Sequence, residues 1–226
     1  INDSNGIAIG RNLKEVSGTV IGNNMTKAHG IIVGDNNRTH STLGYFNNNY
    51  ILGNNNDVAG NYMGGSIAIG ENNTAKVAQG FKTGTWAEGG SIAIGRGVTA
   101  TGHRSIGMGM IDSSDGSPLP NTYTKATADD TVAVGTYAEA TTQEAIAIGK
   151  SAIAEDGSGG GFSTANIAIG SETKSNGGNS VALGTKAKSE SDGGIAIGNQ
   201  AHAAGTGSTT IAIGQNSLSS SEQTIA

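Results

Sequence analysis

Apolar and polar positions alternate along most of this chain in a short unit that keeps returning. Ser66 to Gly70 reads SIAIG, and Ser91 to Gly95 repeats it letter for letter. In Ile92-Ala93-Ile94-Gly95 the two isoleucines share one face at period two, and Ala93 points to the other. Three and five residues past the glycine, Val98 and Ala100 again share a face; Ala138 and Ala140, Ala152 and Ala154, and Ala201 and Ala203 repeat that pair. Each unit therefore predicts two short strands separated by turns of Gly, Asn, Ser and Asp, residues that tolerate positive φ or bond their own backbone. Helix is excluded, because the period is two and glycine arrives too often.

Aligning the glycine that closes each unit gives Gly10, Gly22, Gly34, Gly44, Gly53, Gly70, Gly95, Gly109, Gly135, Gly149, Gly170, Gly184, Gly198 and Gly214. The step is 14 from Gly95 to Gly109, Gly135 to Gly149, Gly170 to Gly184 and Gly184 to Gly198, and 12 from Gly10 to Gly22 and Gly22 to Gly34. Longer steps of 25 (Gly70 to Gly95), 26 (Gly109 to Gly135) and 21 (Gly149 to Gly170) read as a coil plus an inserted loop, or as two coils of which one has a degenerate close, such as Lys82-Thr83-Gly84. A short period with insertions marks a solenoid, each coil stacked on its neighbours. The fold class is thus all-β, a parallel β-roll of about 14 residues per coil, with residues 1–226 as one domain. Residues 1–62 form irregular coils, and 63–226 regular ones with loops inserted near 77–90, 111–130 and 155–165.

A coil of 14 residues with two strands leaves about two residues per turn, so its strands face each other across a thin gap. Small side chains suit that gap, which places Ala68, Ala93, Ala147, Ala168, Ala196 and Ala212 inside. Ile67, Ile69, Ile92, Ile94, Ile146, Ile148, Ile167, Ile169, Ile195, Ile197, Ile211 and Ile213 then stack on the outer face. Burial of an isoleucine is worth roughly 1.5 to 3 kcal/mol, so a wall of them is an association surface, and self-association is expected. The alternative assignment puts the isoleucines inside the coil and the alanines at the interface.

Composition sharpens this. With 38 glycines, nine aromatic residues and 35% apolar residues in 226, the supply for a broad core is missing, and order must come from repetition. There is no cysteine, hence neither a disulfide nor a thiolate metal site. No apolar run approaches the roughly 18 to 20 residues of a membrane helix, and the chain starts at Ile1 without a leader, as an excised segment of something longer would. The formal charge of −5 divides into +2 for residues 1–109 and −7 for 110–226, and the basic residues do not cluster with aromatics, which argues against nucleic acid.

His29, His40, His103 and His202 lie on separate coils in turn-like contexts and read as solvated turn residues. GSGGG at Gly157 to Gly161 lacks the Lys-Ser/Thr of a phosphate loop, and DSSDGS at Asp112 to Ser117 lacks a later bidentate glutamate for calcium. A hexapeptide-repeat acyltransferase helix fits Ile148 to Ile153 locally, but three hexads per coil would demand a period near 18. Ice binding would need a regular threonine row, whereas Thr74, Thr99, Thr141 and Thr173, taken as outward, are scattered. No catalytic residue, metal or cofactor is assigned.

The SIAIG unit followed by xxAxAxG, as in IAIGRGVTATG (Ile92 to Gly102) and IAIGNQAHAAG (Ile195 to Gly205), resembles the head repeat of trimeric autotransporter adhesins, the YadA-like family of Gram-negative bacteria. The resemblance is strongest from Gly64 to Gly214. It implies a left-handed roll, three copies packed about one axis, a stalk and an outer-membrane barrel anchor beyond this segment, and a non-enzymatic surface adhesin binding host matrix proteins or cell receptors. The inserted steps carry what regular coils lack, rigid aromatic and apolar contact area, so Phe81, Lys82, Trp86, Leu119, Tyr123 and Lys125 are the candidate ligand-binding residues.

Overall fold

The computed structural model describes residues 2–41, 49–60, 65–76, 90–110, 123–157, 165–205, 209–221 and 225–226. Among them there is no helix, and every strand pairing is parallel. The chain forms two compact units, Ile1–Met108 and Gly109–Ala226.

In the first unit, three long strands open the chain: β1 (Asn2–Ile9), β2 (Leu13–Ile21) and β3 (Met25–Val33). Thereafter each coil breaks into two: β4 (Arg38–Ser41), β5 (Asn49–Asn54), β6 (Asp57–Gly60), β7 (Ile67–Glu71), β8 (Thr74–Lys76), β9 (Ile92–Arg96) and β10 (Thr99–Ala100). The odd members β5, β7 and β9 continue one sheet from β3, and β4, β6, β8 and β10 form the other. After β11 (Ile106–Met110), the second unit repeats this plan with short strands. Its first sheet holds β13 (Val132–Val134), β15 (Ile146–Ile148), β17 (Ile167–Ile169), β19 (Val181–Leu183), β21 (Ile195–Ile197) and β23 (Ile211–Ile213). Its second holds β12 (Lys125–Ala126), β14 (Glu139–Ala140), β16 (Ile153–Ala154), β18 (Lys174–Ser175), β20 (Lys188–Ser189), β22 (His202–Ala203) and β24 (Leu218–Ser219).

The register decides how the long steps are built. Ile67 pairs directly with Ile92, and Ile146 with Ile167, so each of those steps is one coil with an insertion. Lys82-Thr83-Gly84 lies outside the described residues. Val33 pairs with Leu52, which sets Gly34 opposite Gly53 and removes Gly44 from the series of closing glycines. The strand Lys125–Ala126 falls inside the range read as a loop near 111–130.

The 12-residue coils have a separate cause. Gly18 and Gly30, with φ of +100° and +115°, stand at the position that Asn49 and Ser66 occupy in later coils, and bend one long strand around the corner without the second turn. A side chain there would overlap the backbone of the next coil. With the corner position bare, larger side chains fill the interior: Leu13, Val20, Met25 and Ile32 are buried; Ile51 and Val58, in the next coil, are buried although Asn49 stands at its corner. The expectation of small interior residues throughout is corrected for these coils. In the regular coils it holds: Ala68, Ala93, Ala147, Ala168, Ala196 and Ala212 are fully buried, as are the second-strand alanines 138, 140, 152, 154, 201 and 203.

Polar groups inside are paired between coils. Asn37, Asn56 and Asn73 stack in the first turn of successive coils and are 1–2% exposed. The Asn56 amide donates to Asn37 Oδ1 (3.1 Å) and to the Gly70 carbonyl (2.9 Å), while its Oδ1 accepts the Asn73 backbone N–H (3.0 Å). Asn56→Ala would remove the side-chain partner of the Gly70 carbonyl and of the Asn73 N–H, while Asn37 Oδ1 keeps the Asn56 backbone N–H (3.0 Å), and a loss of about 2 to 3 kcal/mol in unfolding free energy by denaturant titration is expected. An unchanged midpoint would show that water replaces the amide.

Candidate self-association face

The strand Ile-Ala-Ile-Gly builds this face by alternation alone. The middle alanine turns inward, and the two flanking residues turn outward. Parallel in-register pairing then stacks like on like. In the second unit, Ile146, Ile167, Val181, Ile195 and Ile211 form one ladder, and Ile148, Ile169, Leu183, Ile197 and Ile213 a second. In the first unit the ladders run through Ile31, Tyr50, Ile67 and Ile92, and through Val33, Leu52, Ile69 and Ile94. These side chains are not covered by their own chain: Ile148, Ile169 and Ile197 are 37–38% exposed, and Ile213 and Leu52 are each 56% exposed. Isolated exposed apolar residues are ordinary, but a continuous double row is not.

The outer face of the second sheet differs. In unit two its outward row runs through Lys125, Glu139, Ile153, Lys174, Lys188, His202 and Leu218. Lys125 Nζ pairs with Glu139 Oε1 at 3.0 Å and Lys174 Nζ with Glu155 Oε1 at 2.9 Å, and His202 Nε2 lies 2.7 Å from Glu190 Oε2. The first sheet's outer side carries a continuous apolar double row, whereas the second sheet's is mostly polar, with Ile153 and Leu218 as its apolar members.

Of the candidate ligand-binding residues, Phe81, Lys82, Trp86 and Leu119 lie outside the described residues. Tyr123 is half-buried beside β12, and Lys125 belongs to that strand, held by Glu139. The histidines lie apart. His103 is buried, not solvated as its turn context suggested, and His202 is held by Glu190; the side chains of His29 and His40 lie outside the described residues. Thr173 also turns inward, its Oγ1 donating to the Gly184 carbonyl, so it belongs to no outer row. Among the described residues, no group of three or more His, Asp or Glu is placed to hold a metal ion, and no helix is long and apolar enough to cross a membrane.

One row escaped the sequence reading, although its first letter stood in SIAIG. Ser66, Ser91, Ser105, Thr131, Asn166, Ser180 and Thr210 precede the strands of the first sheet and are at most 1% exposed. They close the second turn from inside: Ser105 Oγ donates to the Gly102 carbonyl (2.7 Å), Thr131 Oγ1 to the Ala128 carbonyl (2.8 Å), and Asn166 Nδ2 to the Glu155 carbonyl (2.6 Å). The signal was the small polar residue ahead of most apolar triplets, with Ala145 and Gly194 in its place before β15 and β21. It fixes where the strand enters the face, and so which residues turn outward.

Residues 126–154, 167–187, 189–209 and 206–226 match the family model described as YadA head domain repeat (2 copies). No curated protein matches the chain. The matched segments cover β12 to β24, the coils whose alanines are inside and whose isoleucines, valines and leucines form the outward ladders of unit two. In residues 126–154, 167–187 and 189–226 the chain is thus similar to the YadA head domain repeat, and the described strands there carry the alternation of buried alanine and outward apolar residue.

Proposed function

We propose that residues 1–226 serve as the head of a homotrimeric adhesin, displayed from the outer membrane of a Gram-negative bacterium, that binds a host matrix protein or cell-surface receptor without enzymatic activity. The observation that carries this reading is the double apolar ladder on one outer side of coils matching the YadA head repeat. In the trimer the coils are left-handed, and Ile67, Ile69, Ile92, Ile94, Ile146, Ile148, Ile167, Ile169, Ile195, Ile197, Ile211 and Ile213 face the common axis. The ladders support this because water is a poor neighbour for them, whereas second and third copies of the same face are good ones.

Partner contact is assigned to Phe81, Lys82, Trp86, Leu119, Tyr123 and Lys125, supported by their residue types: aromatic and apolar anchors with basic neighbours, in a chain otherwise short of both. Purified protein is screened against immobilised matrix proteins and epithelial receptors, with saturable binding of at least one expected. Trp86→Ala, and separately replacement of residues 113–122 by a short Gly-Ser turn that leaves β12 intact, should abolish that binding with the melting temperature unchanged. Retained binding with a lowered melting temperature would show that these segments seal the roll instead.

A further inference from the structure

The rims of the apolar face differ from coil to coil. In unit two each strand of the first sheet enters the face from the second turn and leaves it through the closing glycine. Two residues therefore flank the outward pair: one two places before the strand, the other just past the glycine. Most coils carry neutral residues at both places, such as Asn179 and Thr185, and the coil of β13 has Asp130 at one and Thr136 at the other. The coil of β15 alone has opposite charges at its two ends, Glu144 before the strand and Lys150 after it.

Both side chains are exposed. The Glu144 carboxylate accepts only a long bond from Gln143 Nε2 (3.4 Å), and Lys150 makes no ion pair among the described residues. They stand in the turns at opposite ends of β15 (Ile146–Ile148), and no contact joins them among the described residues. Elsewhere in the unit two of the three lysines on strands find glutamates, Lys125 and Lys174, whereas Lys188 makes no ion pair among the described residues.

A ring of identical copies whose axis follows the stacking direction turns every strand of the apolar face tangential to the ring. The end of each strand then points toward the beginning of the same strand in the neighbouring copy. We infer that Lys150 of one copy pairs with Glu144 of the next, an ionic clasp at the rim of the apolar face. The clasp closes only when neighbouring copies run in the same direction. Apolar ladders, being non-directional, do not discriminate parallel from antiparallel packing, and the clasp supplies that discrimination. The inference rests on self-association through the isoleucine face.

The test is sedimentation of the whole chain at low salt and near 1 M salt, for the native protein, Lys150→Glu, Glu144→Lys and the double exchange, with circular dichroism to verify the fold of each. At low salt each single change should raise the dissociation constant by about threefold to tenfold, and the double exchange should return it to about the native value. High salt should bring all four together, because the screening length falls to about 3 Å. If the losses of the two singles simply add in the double variant, there is no clasp. If neither single change matters while aspartates at Ile146 and Ile148 separate the copies, the clasp is wrong and the face reading stands. A native chain that is monomeric at every concentration overturns both.

Discussion

Ile146→Asp combined with Ile148→Asp is expected to leave the chain folded and to abolish its assembly. Both side chains stand on the outer face of β15; Ile148 is 37% exposed in the single chain, while Ala147 between them is fully buried and unchanged. In an isolated copy the new carboxylates point into water and disturb little beyond strand propensity, a cost of about 1 kcal/mol or less. In the assembly they would meet at one level around the axis, two from each copy. Charges brought together and dried there cost several kcal/mol, and no basic side chain lies on the neighbouring positions of the ladder, which are Val132, Val134, Ile167 and Ile169. Sedimentation should show a single-chain species with a native circular dichroism spectrum. An unchanged oligomer of equal stability would mean that copies associate through another surface.

Gly149→Ala should cost roughly 3 to 5 kcal/mol in unit two. Gly149 sits at φ +133°, where an L side chain is strained, and a Cβ there would overlap the Gly170 carbonyl, with the carbonyl carbon at 2.6 Å. The backbone cannot retreat. Gly149 N–H donates to the Val134 carbonyl (2.8 Å) and Gly170 N–H to the Ile148 carbonyl (2.8 Å), so this coil is pinned to those before and after it. Because solenoid stability is summed over neighbouring coils, the defect should split the unfolding transition of the unit rather than lower it uniformly. Denaturant unfolding followed by amide exchange checks this; protection retained on both sides of Gly149 would show that the stack absorbs the methyl group.

These two residues also mark what could be read in the sequence. The alternation of β15 and the closing glycine are local signals, and both survive into three dimensions: alanine inside, isoleucine outside, glycine where coils touch. What sequence spacing does not carry is which coil lies on which. Gly44 has the right residue type, yet the pairing of Val33 with Leu52 passes over it, because hydrogen-bonded register, not glycine spacing, defines a coil. Nor does a size rule drawn from alanine-lined coils reach Met25 and Ile32, whose room comes from the missing corner side chain at Gly18 and Gly30. The inner polar row was hidden for a different reason. A serine before an apolar triplet resembles any turn residue until the coil closes and brings its hydroxyl against a carbonyl, as at Ser105 and Gly102. The candidate ligand contacts, resting on residue type alone, had no such geometric signal.

The insertion between Gly149 and Gly170 separates two quantities that a chain normally trades against each other. Ile146 still lies against Ile167, just as Ile167 lies against Val181 across the shorter coil that follows. Reach is thus counted in coils and breadth in residues. A lineage of such chains can lengthen, shorten or exchange whatever it carries at that turn without shifting any outward isoleucine from its level.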